Sequence, residues 1–190
     1  MFETMSQTMA AWVIAVGSVF VSPETTTDVT FNPPSLNLEG NGITLTVALS
    51  NWLSDDMNRI LESGQTLTIH FDLDLFQTTY STPLQEYSFI HAVTMDLIDQ
   101  TYHVDCSELD QNLETNRRDE MRRLVGSLES FHLLELEEMQ GDTSFYFRLS
   151  ARLENIDLPG LMKNPEMMRF WNNTSPQLES PRFQRSDFIL

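Results

Sequence analysis

Apolar and polar residues alternate along the stretch 65–76, which reads QTLTIHFDLDLF. Apolar side chains occupy every second position from 67 to 75, and Thr68, His70, Asp72 and Asp74 lie between them. Successive side chains of a β-strand point to opposite faces, so this pattern predicts a strand with one buried face and one solvated face. Other elements must supply the apolar surface against which this strand packs.

Similar alternation marks other parts of the chain as strands. It recurs at residues 43–49 and 145–153, and shorter extended segments occur at 28–31, 36–38 and 102–106. The sequence EGNG just before position 43 contains residues that tolerate positive φ, which favours a tight hairpin at that point. Each of these segments therefore predicts a strand with one face on a shared core.

The segment 87–98 has a different pattern, because apolar residues fall on both faces of the predicted strand. Strands of this kind are typical of positions that are covered on both sides. We therefore expect residues 87–98 to lie at the centre of a sheet with both faces buried. The polar residues 99–101 can then turn the chain back into the next strand.

Two helices are predicted between the strands. Ser54 fits an N-cap, Asp55 and Asp56 suit the positive end of a helix dipole, and Gly64 fits the position just after a helix. A second helix is predicted over residues 115–130, where apolar residues recur at spacings of three and four. The residues of that apolar face are Met121, Leu124, Val125 and Leu128.

About eight short strands, two connecting helices and no regular βαβ rhythm predict a mainly β fold with helical insertions, an antiparallel β-sandwich. After residue 155 the pattern is interrupted by prolines, which predicts an irregular C-terminal tail that docks on the domain. We therefore divide the chain into a leader or export signal at 1–24, a sandwich domain at 25–160 and a tail at 161–190.

Residues 9–22 form an apolar run, MAAWVIAVGSVFVS, that is short for a membrane-spanning helix. The length suits the hydrophobic region of an export signal, although Glu3 stands where positive charges are usual. The alternative is a first core strand rich in valine. The export interpretation predicts a periplasmic or otherwise extracytoplasmic protein.

The net charge of −17 arises from 28 acidic and 11 basic residues. Such a field repels nucleic acid and anionic lipid, so the charge argues against nucleic acid as a partner and allows only peripheral proximity to a membrane. Cys106 is the one cysteine of the chain, which excludes an internal disulfide. We expect Cys106 to be a small buried residue, because His103 lies three positions away and faces the opposite side of the predicted strand.

The spacing His70-x-Asp72-x-Asp74 provides the sharpest candidate metal site, since all three side chains share one face of the predicted strand. Neighbours two positions apart are separated by about 6.6–7 Å, so a further ligand such as His91 or Asp96 would have to join from another strand. The alternative is a solvated strand face without any ion. No nucleotide-binding or nucleophile-elbow motif is present, and no cofactor is predicted.

Several short segments together resemble one known family. They are residues 43–49 with a following helix and SG pair, residues 96–104 (DLIDQTYHV), Arg148 with Arg152, residues 158–161 (LPGL), and Phe170 with Trp171. In this order they are similar to a poorly characterised family of exported bacterial envelope proteins of unknown function, often encoded beside a sensor histidine kinase. The resemblance implies an envelope location and supplies no catalytic residues.

These observations lead to three functional hypotheses. The first is a non-enzymatic, exported or periplasmic envelope protein that acts through protein–protein contacts. The second is a cation-binding domain or metal-dependent enzyme that uses His70, Asp72 and Asp74. The third is a structural subunit of a larger assembly, because the apolar C-terminal residues 188–190 could serve as an arm that needs a cover.

Overall fold

The computed structural model describes residues 28–109, 112–139, 143–156 and 166–189. In these residues two antiparallel sheets enclose one cluster of buried apolar side chains. The predicted antiparallel sandwich with two helices is therefore confirmed. The apolar run at 9–22 lies outside the described residues, as does the segment 157–165.

The larger sheet contains seven strands among the described residues: β4 (Leu67–Gln77), β5 (Gln85–Asp96), β6 (Thr101–Cys106), β7 (Leu113–Thr115), β9 (Ser144–Leu153), β10 (Gln177–Glu179) and β11 (Phe183–Gln184). Their order is β10-β9-β4-β5-β6-β7, with β11 also paired to β9. The strand with the clearest alternation, β4, lies between β5 and β9 and pairs with both along most of its length.

The smaller sheet is built around β3 (Gly42–Ser50). It pairs with β1 (Thr30–Phe31), β2 (Ser35–Glu39) and β8 (Ser127–Glu135). The hairpin between β2 and β3 turns at Gly40, whose φ of +64° is a conformation that glycine adopts without strain. This confirms the hairpin that the EGNG sequence predicts.

The core lies between the inner faces of the two sheets. The residues of β4 that alternation assigns to the buried face are all buried: Leu67, Ile69, Phe71, Leu73 and Leu75. The ring of Phe71 packs 6.5 Å from that of Phe31, which comes from the smaller sheet. Burial of each such side chain contributes roughly 2 kcal/mol, so β4 is a principal source of stability.

The first helix, α1 (Asp55–Glu62), forms where the capping signals predict. The Met57 amide donates to the Ser54 hydroxyl oxygen at 3.2 Å. Gly64 follows the helix with a φ of +82°. Ile60 is among the residues that α1 buries in the core, so the helix closes one end of the sandwich.

The second helix, α2 (Arg118–Gly126), is shorter than the predicted span of 115–130. The chain becomes extended at Ser127 and continues as β8, with Leu128 opposite Val47 of β3. The prediction was wrong at this end because Leu128 is buried equally well by the strand. Helical spacing of apolar residues therefore continued past the true end of the helix.

Gly126, the last residue of α2, packs closely against Trp52. A Cβ atom at this position would lie 2.6 Å from Cδ1 of Trp52, so only glycine allows the indole to approach. The indole nitrogen of Trp52 donates to the Arg122 carbonyl at 3.0 Å. The packing of Trp52 thus requires glycine at the last residue of the helix.

The prediction that residues 87–98 are covered on both sides was wrong. On the inner face of β5, Phe89, His91 and Val93 are buried. On the outer face, Ile90 is 46% exposed and Ser88 is exposed. A strand can therefore lie in the interior of a sheet, with a neighbour on each side, and still present one face to solvent.

The C-terminal segment is more regular than the predicted tail. A 3-10 turn at Met167–Trp171 is followed by β10 and β11, which extend the edge of the larger sheet. The indole of Trp171 donates to the Trp52 carbonyl at 2.9 Å, and Phe183 packs on Phe145. Among the described residues, no helix has the length and hydropathy needed to cross a bilayer.

Candidate functional site

The predicted ligands His70, Asp72 and Asp74 lie on the outer face of the larger sheet, each in a different cross-strand row. The rows, from β9 through β4 to β5, are Arg152-His70-Ile90, Ser150-Asp72-Ser88 and Arg148-Asp74-Glu86. This arrangement follows from strand geometry, because residues two apart on one strand are separated by about 7 Å. Each side chain is therefore closer to its neighbours across the sheet than to the other predicted ligands.

Each of the three has its own environment. The Nε2 atom of His70 lies 2.8 Å from a carboxylate oxygen of Glu154. The Ser88 hydroxyl donates to Asp72 at 2.8 Å. Asp74 lies opposite Arg148 in the pairing of β4 with β9. The assignment of a metal to these residues stays a prediction, and the structure separates them instead of bringing them together.

The two side chains expected to complete that site lie elsewhere. His91 pairs with Ile69 and is fully buried on the inner face. Asp96 accepts hydrogen bonds from the amides of Ile98 and Asp99 at 2.7 and 3.1 Å, in the turn after β5. These two hydrogen bonds lower the pKa of Asp96, and the bond from the Asp99 amide has the larger effect. Asp96 therefore stabilises a turn.

A groove follows β9 and β10 on the same outer face. One half is a cavity of about 300 Å³, and its polar lining residues are Asp72, Asp74, Arg148, Ser150, Gln177 and Glu179. The other half is a cavity of about 240 Å³, whose further lining residues include Thr78, Tyr146 and Arg182. Arg148 and Glu179 line both cavities, so this pair stands between the two halves.

Arg148 is held in place from several sides. Its Nε atom donates to Glu179 at 2.9 Å. Its guanidinium lies 5.1 Å from the ring centre of Phe76 and 5.6 Å from that of Tyr146, and these two rings stack on each other. The hydrogen bond to Glu179 raises the pKa of Arg148. The guanidinium is therefore positioned by cation–π contacts with two rings and by its hydrogen bond to Glu179.

The two halves of the groove differ in charge. The first half adds Asp72 and Asp74 to the central ion pair and is acidic. The second half adds Arg182 and is basic. Charge complementarity therefore favours a ligand with a positive group in the first half and a negative group in the second.

A second cluster lies on the inner face of the larger sheet. His91 of β5 and Cys106 of β6 are directly opposite each other in the strand pairing, and Glu108 follows β6. One potential ligand atom from each residue lies within 4.8 Å of the others. Among the residues that the structure describes, this is the one group of three His, Cys, Asp or Glu side chains that is so close.

The hydrogen bonds of His91 hold its ring in one orientation. Its Nδ1 atom lies 2.9 Å from the Val125 carbonyl, which can only accept, so Nδ1 carries hydrogen. Its Nε2 atom makes a hydrogen bond of 2.8 Å with Oε1 of Glu108. The second carboxylate oxygen of Glu108, Oε2, is buried and has no hydrogen-bond partner.

Cys106 is buried, as the sequence predicts, with 2% of its surface exposed. Burial, followed by the nearby charges of Glu108 and Asp105, raises the pKa of its thiol to about 12. The thiol is therefore protonated near neutral pH, which makes it a poor nucleophile. His103 lies on the opposite face, where its Nδ1 atom is 3.2 Å from Glu114.

The C-terminal end of α2 explains how this cluster is oriented. Four successive carbonyls of the helix each accept a hydrogen bond from a side chain. The bonds run from Trp52 to Arg122, from Ser127 to Arg123, from Cys106 to Leu124 and from His91 to Val125. The last carbonyls of a helix have no intrahelical partners, and the C-terminal end carries partial negative charge. His91 and Cys106 therefore supply donors to two of these carbonyls and lie at the negative end of the helix.

The contact between His91 and Cys106 was not predicted from the sequence. A usable signal was present, because a hairpin that turns at residues 97–100 places position 91 opposite position 106. The position of Glu108 depends on the conformation of the chain after β6, for which the sequence offers no comparable register.

The comparisons with known proteins give one match. The profile of a domain of unknown function, DUF4390, matches residues 27–180. Neither the curated proteins nor the solved structures include a significant match. Because the profile covers most of the sequence, including every strand of the larger sheet except β11, the chain belongs to the DUF4390 family.

Proposed function

We propose that this protein is an exported, non-enzymatic envelope protein that acts by binding a segment of another protein in the groove along β9 and β10. The observation that carries the proposal is the groove itself, with two cavities of about 300 and 240 Å³ that meet at Arg148 and Glu179. Two neighbouring cavities of mixed charge along one face of a sheet suit an extended polypeptide.

The lining chemistry supports a peptide ligand. Carboxylate oxygens of Asp72 and Asp74 accept hydrogen bonds, the Arg148 guanidinium donates them, and Ser150 and Gln177 do both. A peptide backbone presents both donors and acceptors, so it can pair with both kinds of group. We expect the ligand to carry a lysine or arginine in the acidic half and an acidic residue near Arg182 in the basic half.

A non-enzymatic role is supported by the state of the most reactive groups. Cys106 is buried with a raised thiol pKa. His70 and His91 face the carboxylates of Glu154 and Glu108. These three groups make their polar contacts within the fold.

Export is supported by the position of the family domain. The DUF4390 match begins at residue 27, directly after the apolar run at 9–22. A hydrophobic segment of this length ahead of a folded domain is the usual arrangement of an exported precursor. We therefore propose that residues 1–24 are removed and that the domain acts outside the cytoplasm.

The alternative of a C-terminal arm on a neighbouring subunit is less well supported. The ring of Phe188 packs edge-on against Phe183 at 6.1 Å, and Phe183 is itself buried. The chain therefore covers part of its own apolar end. Ile189 remains 48% exposed, which is too small a surface to hold a subunit.

Selection from a random peptide display library, followed by affinity measurement with synthetic peptides, tests the binding proposal. We expect selected peptides to combine a basic and an acidic residue. The Asp72→Asn/Asp74→Asn double variant should weaken binding roughly tenfold or more. The matched control is Asp99→Asn, an exposed aspartate in the β5–β6 turn. Equal affinity of the double variant and the wild type would reject the groove as the binding site.

Mass spectrometry of the mature protein from its native host tests export separately. We expect the mature chain to begin close to residue 25. An intact Met1 on protein recovered from the cytoplasm would contradict export and leave the groove proposal to be judged on its own.

A further inference from the structure

We propose that His91, Cys106 and Glu108 form a binding site for a divalent transition-metal ion, with Zn²⁺ as the best match. This site lies on the inner face of the larger sheet, whereas the peptide groove lies on the outer face. The inference does not depend on the proposed peptide binding.

The donor atoms select the class of ion. Imidazole nitrogen, thiolate sulfur and carboxylate oxygen are the three protein ligands of zinc. Calcium and magnesium require oxygen ligands, so a site with a thiolate and an imidazole disfavours both. Three protein ligands leave a fourth position of a tetrahedral zinc for water.

The separation of the donor atoms fits such an ion. One donor atom from each residue lies within 4.8 Å of the others. A tetrahedral zinc with bonds of about 2.0–2.3 Å places its ligand atoms about 3.3–3.7 Å apart. The His91 and Glu108 atoms, now 2.8 Å apart, would separate by about half an ångström to admit the ion.

The surrounding fold already holds the histidine as a metal ligand requires. The Val125 carbonyl accepts from Nδ1 of His91 at 2.9 Å and leaves Nε2 directed at Glu108. A hydrogen bond from one ring nitrogen to a carbonyl is the usual way in which a protein orients a metal-binding imidazole. The pairing of β5 with β6 fixes Cys106 relative to His91.

The unsatisfied carboxylate oxygen is the second, independent observation. Oε2 of Glu108 is buried without a hydrogen-bond partner, although buried polar atoms are nearly always paired. An ion at this position would satisfy the Glu108 carboxylate. Because the Glu108 side chain is 14% exposed while His91 is fully buried, the ion would enter past Glu108.

The charges balance when the ion binds. One divalent cation enters, and two protons leave to solvent, one from the Cys106 thiol and one from between His91 and Glu108. The thiolate and the carboxylate then neutralise the ion, so the buried site keeps the same net charge. The carbonyls of Leu124 and Val125 at the end of α2 add a negative potential that favours a cation.

Cobalt titration of the full chain after dialysis against a chelator tests this site. Co²⁺ bound to a thiolate gives a sulfur-to-cobalt charge-transfer band in the near ultraviolet, which zinc removes by competition. We expect one equivalent of Co²⁺ to produce the band in the wild type. Glu108→Gln, a change near the surface, should weaken binding by roughly 10- to 100-fold while the band remains.

Cys106→Ala should abolish the band, and His103→Gln, on the exposed face of the same strand, should leave it unchanged. The Asp72→Asn/Asp74→Asn variant should also titrate as the wild type, which keeps failure of this site distinct from failure of the groove. Circular dichroism establishes that each variant is folded. A folded wild type without a stoichiometric charge-transfer band, or a folded Cys106→Ala variant that retains it, would overturn the proposal and leave His91 and Cys106 as helix-capping residues.

Discussion

The two faces of the larger sheet place similar residues in opposite situations. On the outer face, His70, Asp72 and Asp74 follow one strand and take separate partners across the sheet. On the inner face, His91 and Cys106 come from adjacent strands and converge with Glu108. The comparison teaches that register between strands brings donor atoms together, whereas alternate spacing along one strand keeps them about 7 Å apart.

The largest expected effect is on the free energy of unfolding, which should fall much more for a variant on the inner face of β4 than for one on its outer face. Phe71 is 1% exposed on the inner face of β4, and Phe71→Ala should reduce the free energy of unfolding by about 3–5 kcal/mol because it leaves a cavity. Its outer neighbour provides the control, since Asp72→Asn should change stability by about 0.5 kcal/mol or less. Urea denaturation of the metal-free protein measures both. Similar losses in the two variants would contradict the assignment of faces.

A histidine on each face gives the next comparison. His91→Leu removes the partner of the Val125 carbonyl and of Glu108 in a buried site, which should cost about 1–3 kcal/mol. His70→Leu removes only the contact with Glu154, whose side chain is 54% exposed, and should cost about 0.5 kcal/mol or less. Urea midpoints at one pH compare the two. A larger loss for His70→Leu would reverse the interpretation of the two histidines.

The raised pKa of the Cys106 thiol predicts that the stability of the wild type depends on pH above 9 more strongly than that of Cys106→Ala. Folding raises its pKa from 9.0 to about 12, so the native state favours the neutral thiol. The resulting stability is fully present below pH 9 and is lost as the pH rises from 9 towards 12, by up to about 1.4 kcal/mol per pH unit. Urea denaturation across this range should show a steeper decline for the wild type than for Cys106→Ala. Parallel declines would show that burial does not raise this pKa.

The smallest stability effect is expected in the groove. Glu179→Gln removes the negative charge that faces Arg148 on an exposed surface, so the urea midpoint should remain unchanged within error. Peptide binding should change, because the charge of both halves of the groove changes where they meet. Arg117→Gln serves as the control, because Arg117 is exposed and lies just before α2, outside the groove lining. A large loss of stability would indicate that the pair is structural.

Much of the fold could be predicted from local pattern. Alternation identified β3, β4 and β9, and Ser54 with Gly64 marked the bounds of α1, because these signals depend on neighbouring residues alone. The end of α2 could not be predicted, since the helical spacing of apolar residues continues past Gly126 to Leu128 in β8. The exposure of Ile90 was also missed, because apolar residues on both faces of a strand do not show which face the fold covers.

The candidate sites were less predictable than the fold. The sequence indicated that His70, Asp72 and Asp74 share a face, and the structure places them on the outer face of β4. The sequence alone did not reveal the groove, because β9 and β10 are joined by a long connection and meet only in the folded sheet. The contact of His91 with Cys106 required the register of one hairpin, and the contact with Glu108 required the path of the chain beyond it.

The pairing of β4 with β9 has a consequence for the rate at which the protein folds. Phe71 pairs with Phe89 through a hairpin, but its other neighbour, Ala151, comes from much later in the chain. Such distant contacts must wait for a long loop to close, and proteins rich in them fold on timescales of milliseconds to seconds. The larger sheet therefore cannot be completed until β9 is available to pair with β4.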